Sequence, residues 1–89
     1  MLPADIKKRI ESDFGDNGKV AKTILEEGLD GKGFSPRVYR CVIVLAEKSL
    51  GKLKEMAELA IEDYRDVIAS AEYDKNENHI ADYNEPFDS

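Results

Sequence analysis

The apolar positions of this chain recur at three- and four-residue intervals almost from one end to the other. In LPADIKKRIESDF, residues Leu2, Ile6, Ile10 and Phe14 fall four apart, which lines them along one side of a helix and turns Lys7, Lys8 and Glu11 outward. Pro3 suits a first turn, and the GDNG run at 15–18 offers the glycine and asparagine backbones that end one helix and reverse the chain. KVAKTILEEGL then predicts a short second helix with Val20, Ile24 and Leu25 facing inward and Gly28 closing it. In the connector that follows, Ser35 is expected to cap the third helix and Pro36 to occupy its first position. Gly31 and Gly33 beside a lysine lack the spacing of a phosphate-binding loop.

RVYRCVIVLAEKS is apolar around more than one side: Val38, Cys41, Val42 and Leu45 form one stripe, and Tyr39, Ile43 and Ala46 extend it. A helix of that kind is central. The longest segment, LGKLKEMAELAIEDYRDVIASAEY, carries a stripe of Leu53, Met56, Ala60, Tyr64, Val67, Ile68 and Ala71 with a highly charged back, and Gly51 is expected to break the chain between it and the third helix. No segment alternates as a strand does. The pattern therefore predicts an all-α fold: a small four-helix bundle-like domain over 1–73, with helices near 3–14, 18–28, 36–48 and 52–73, and an irregular acidic tail over 74–89 folded back on it.

Composition narrows the setting. The 89 residues are enough for one domain with one core, and 42% hydrophobic content is that of a folded chain. Cys41 is the only cysteine, so no internal disulfide forms, which is the pattern of a reducing compartment; a cytoplasmic location is the expectation. The longest apolar run, Val42–Ala46, is too short to span a bilayer, and no signal-peptide core follows Lys7-Lys8-Arg9. The net charge of −6 is unevenly placed: residues 1–54 hold 11 of the 13 basic and 8 of the 19 acidic residues. The remaining 35 residues are strongly acidic, which disfavours a nucleic acid partner and favours a basic protein one.

Candidate chemistry is sparse. Cys41 and His79 are the only thiol and the only imidazole, and a lone cysteine among valines has the character of a small core residue. Glu55, Glu58, Glu62 and Asp66 recur at intervals of three, four and four, placing a row of carboxylates on the outer face of the last helix, a solvated face or a docking surface. In the tail, Ile80, Tyr83 and Phe87 are spaced to cover the domain's own core or to insert into another protein, with Pro86 fixing the backbone between them.

The stretch DKNENHIADYNE, residues 74–85, resembles a calcium-binding EF-hand loop. Asp74, Asn76, Asn78, the Ile80 carbonyl, Asp82 and Glu85 stand at its ligand positions. Three departures weaken the match: His79 stands where the loop needs glycine, Ala81 where it has a larger apolar residue, and Pro86 directly after the residue that should begin an exit helix. The function expected from the sequence is a small acidic, non-catalytic protein-interaction or regulatory domain without a cofactor. Its partner candidates are Glu55, Glu58, Glu62, Asp66, Tyr83 and Phe87, and the alternative is weak divalent-cation binding by 74–85.

Overall fold

The computed structural model describes residues 2–29, 32–76, 78–85 and 87. It is all-α: helices α1 (Ala4–Phe14), α2 (Gly18–Leu29), α3 (Pro36–Ala46) and α4 (Leu50–Glu72), with a single 3-10 turn, Gly15–Asn17, joining α1 to α2. Among the described residues no strand occurs, only an isolated antiparallel bridge between Tyr73 and His79. The Cα radius of gyration is 12.0 Å, which matches the roughly 12 Å expected of a single compact body of this length. No helix among the described residues is long and apolar enough to cross a membrane.

Helix α1 follows its pattern: Ile6, Ile10 and Phe14 are buried, and Leu2 ahead of the helix joins them. Gly15 adopts φ 50° and ψ −119°, a conformation that only glycine takes easily, and so ends α1 and turns the chain into the 3-10 segment. Helix α2 presents a different face from the one expected. Ala21, Leu25 and Leu29 are its buried hydrophobics, whereas Val20 is 49% exposed and Ile24 only partly covered. Gly28 lies inside the helix rather than ending it, and a Cβ there would stand 3.6 Å from the Ala57 side chain. Small residues at this crossing let α2 lie close on α4.

Helix α3 is the centre of the core. Val38, Tyr39, Cys41, Val42, Ile43 and Ala46 are all buried. Pro36 opens the helix; Ser35 takes the capping position with extended backbone but makes no side-chain capping bond. The break before α4 lies at Glu47–Ser49 rather than at Gly51. Glu47 and Lys48 both take positive φ, 49° and 66°, and the Ser49 hydroxyl accepts the Lys52 backbone N–H to cap α4, so Gly51 falls within the first turn.

Helix α4 packs most extensively on α3 and next on α2, with Leu53, Ala57, Ala60, Val67 and Ala71 buried. It is interrupted at Asp63, whose φ of −155° and ψ of 88° are extended, and the Asp63 carboxylate accepts the Arg65 backbone N–H at 3.2 Å to restart the helix. The interruption explains why Tyr64, expected in the buried stripe, is 45% exposed, with its ring against Phe34 at 5.8 Å between centroids.

Candidate functional site

The side chain that organises the C-terminal end of the molecule is Glu72, the last residue of α4 and wholly inaccessible to solvent. A carboxylate removed from water is costly unless donors replace its hydration. Arg37, on the first turn of α3, supplies two: its Nε donates to Oε2 at 2.8 Å and its Nη2 to Oε1. The Tyr83 backbone N–H donates to Oε2 at 3.1 Å, the Cys41 thiol makes a weak contact at 3.8 Å, and His79 Nε2 stands 3.4 Å from Oε1. The Arg37 hydrogen bonds dominate and hold the Glu72 carboxyl below its usual range despite burial, while Glu72 in turn raises Arg37.

A second ion pair, of a buried arginine and a partly buried aspartate, lies beside it. Arg40, one turn further along α3, donates from Nε to Asp5 Oδ2 at 2.8 Å, and from Nη1 to the carbonyls of Tyr83 at 3.1 Å and Asn84 at 3.4 Å. Asp5 also accepts the Phe87 backbone N–H at 3.1 Å. Its carboxyl too is held below the usual range, chiefly by Arg40. Each carboxylate therefore joins an arginine of α3 to a backbone N–H near the C-terminus.

The tail residues proposed as partner anchors stand within this arrangement. Tyr83 and Phe87 pack against the core cluster and contact each other edge to face at 6.2 Å between centroids, and the Arg9 guanidinium lies over the Phe87 ring at 4.7 Å. Ile80, by contrast, is 61% exposed. Pro86 lies outside the described residues.

The side chains of the EF-hand-like stretch that can be followed serve their own backbone. Asp74 Oδ1 accepts the N–H groups of Asn76 and Asn78, and Asp82 Oδ1 accepts that of Asn84. The N–H of Asn78, more than that of Asn76, lowers the Asp74 carboxyl from its ordinary value. Among the described residues no three His, Cys, Asp or Glu side chains stand together as metal ligands would.

The carboxylates of α4 have a different environment. Glu55, Glu58, Glu62 and Asp66 are all exposed, and no cation of the described residues pairs with them. Asp63 divides the row: Glu55, Glu58 and Glu62 belong to the first part of α4 and Asp66 to the part after the interruption, so the four do not form one continuous helical line. Exposed Ile61 lies among them, and Glu58 and Ile61 border a groove between α2 and α4.

No protein-family profile, characterised protein or solved structure matches the chain. The site therefore stands on its own geometry.

Sequence reasoning singled out the exposed carboxylates and missed the buried ones. Its available signal was Arg37 and Arg40, two charges three residues apart on a helix otherwise made of Pro, Val, Tyr, Cys, Ile, Leu and Ala. Charges on such a helix need buried partners. The partner of Arg37 is 35 positions away, beyond the reach of local spacing.

Proposed function

We propose that this is a non-catalytic protein-interaction domain that meets a basic partner through the outer face of α4. One contrast carries the reading. The ionic groups at the C-terminal end, Asp5, Arg37, Arg40 and Glu72, are joined to one another and to backbone N–H and carbonyl groups, whereas Glu55, Glu58 and Glu62 face solvent with no cation of the described residues paired to them. Like charges at helical spacing repel by about 0.2–0.5 kcal/mol per pair, and a partner's lysines and arginines would relieve that repulsion on contact.

The tail belongs to the domain rather than to the partner in this reading. Tyr83 and Phe87 are partly buried against the core cluster, which supports a tail that covers its own domain. Cys41 supports a structural role: burial, assisted by the Glu72 charge, pushes its thiol up to about 12, which leaves almost no nucleophilic thiolate at neutral pH.

The test is photo-crosslinking of the full chain in its host, with a photoreactive amino acid replacing Glu58 in one version and Lys8 in another. A protein adduct from position 58, lost when Glu55→Lys and Glu62→Lys are added, is the expected result. An adduct from position 8 with none from position 58 would overturn the reading.

A further inference from the structure

The groove between α2 and α4 is open, about 420 Å³ in volume, and built as two unlike layers. Its floor is apolar and small: Ile24 and Gly28 from α2, Ala57 and Ile61 from α4. At the floor's narrowest point a Cβ on Gly28 would sit 3.6 Å from the Ala57 methyl, so no side chain rises between the two helices there. Ile61 is 46% exposed, and Val20, one turn before Ile24 on the same stripe of α2, is 49% exposed. Burying such surface is worth about 25 cal/mol per Å², and the described residues leave about half of each of these side chains uncovered.

The rim gives the groove its sign. Glu27 borders it on α2 and Glu58 on α4, with Lys54 the one cation among its lining residues. Glu55 and Glu62, one turn to either side of Glu58, extend the negative charge along α4. A concave apolar strip between Glu27 of α2 and the acidic face of α4 complements a helix with one apolar face flanked by lysine or arginine on both sides. A neutral or acidic helix would bury apolar surface equally well but leave the rim carboxylates unpaired.

We infer that the α2/α4 groove is the docking site for a basic amphipathic helix of a partner protein, seated on Ile24, Ala57 and Ile61 and flanked by Glu27 and Glu58. This rests on the reading of α4 as the interaction face and names the segment that face takes. Gly28 leaves the floor without a side chain beside Ala57, where a Cβ would only just make contact at 3.6 Å and a larger side chain would fill the groove.

The test uses the full chain, 15N-labelled, and three synthetic peptides of about 14 residues, four helical turns. One places leucines on one face and lysines beside them, the second replaces every lysine by glutamine, and the third scrambles the first so that no face is apolar. The expected result is saturable binding of the first peptide alone, with a dissociation constant of about 10–100 µM and the largest amide shifts at Ile24, Gly28, Ala57 and Ile61. Ile61→Lys and Gly28→Leu, each shown by its spectrum to remain folded, should weaken binding at least about tenfold, close to 1.4 kcal/mol.

Four outcomes would overturn the inference. No binding of the lysine peptide is one, and equal binding of the glutamine peptide is another. The third is a concentration-dependent dimer, abolished by Ile61→Lys, that shows a second copy seated in the groove. Binding of both the lysine and the scrambled peptides along Glu55, Glu62 and Asp66, indifferent to Ile61→Lys, would overturn the groove while leaving α4 as an interaction face. An adduct at position 58 without groove binding would keep α4 as the interaction face, whereas no adduct there would count against both readings.

Discussion

Arg37 holds both carboxylate oxygens of Glu72, joining the first turn of α3 to the last residue of α4 across 35 positions of sequence. Glu72 is fully buried and Arg37 about one third exposed, so the two partners are not equivalent. Removing the arginine strands a carboxylate in the interior. Breaking a fully buried pair in that way typically costs about 3–5 kcal/mol; with Arg37 partly exposed and the Tyr83 N–H still donating to Glu72, Arg37→Ala is expected to lower urea-unfolding stability by somewhat less than that. Lys52→Ala removes only an exposed contact with Glu47 and should change stability by less than about 0.5 kcal/mol.

The same carboxylates set the response to acid. Glu72 titrates below its usual range because Arg37 hydrogen-bonds it, and Asp5 because Arg40 does. As pH falls, the unfolded chain takes up protons first, near about 4.3 for Glu and 3.9 for Asp. Their contribution is therefore complete above those values and is lost as pH falls through the lower folded-state values. Denaturation midpoints should hold steady from neutral pH to about 5 and decline below about 4. In Glu72→Gln and Asp5→Asn the neutral-pH stability should be lower and the acid decline shallower.

Backbone strain is concentrated between α3 and α4, where Glu47 and Lys48 both take positive φ. Left-handed backbone costs a residue with a Cβ about 1–2 kcal/mol, and glycine escapes most of that. Lys48→Gly is expected to raise the melting temperature by several degrees, on the order of 4–8 °C for each kcal/mol gained in a domain of this size. Gly15→Ala, at φ 50° and ψ −119°, should move in the opposite direction.

Cys41 is expected to be inert in the folded protein. With the thiol near 12, the thiolate fraction at pH 8 is on the order of 10⁻⁴. A disulfide reagent should label it slowly in native buffer and at the rate of a free cysteine in denaturant.

The elements were legible in the sequence wherever large apolar residues alone make the stripe, as in Leu2, Ile6, Ile10 and Phe14, or in α3. They misled where small residues carry the contact. On α2, Val20 outranks Ala21 by size, yet Ala21 faces the core, and Gly28 packs beside Ala57 instead of ending the helix. Asp63 was likewise hidden, because a charged residue on a charged helix face gives no sign of the extended backbone it adopts there. The exposure of Glu55, Glu58, Glu62 and Asp66 followed from spacing, while the burial of Glu72 follows from an arginine that only the tertiary fold brings near it.

The proposed division between a tail that covers its own domain and a helix face free to meet a partner is tested most directly by hydrogen exchange at two amides, those of Tyr83 and Phe87. Their N–H groups donate to Glu72 and Asp5 at 3.1 Å, and both rings pack on the core. Both amides should exchange far more slowly than an unstructured chain, and Glu72→Gln should release Tyr83 more than it releases the interior of α3. Exchange of both at the unprotected rate in the native protein would contradict this and make Tyr83 and Phe87 the docking arm.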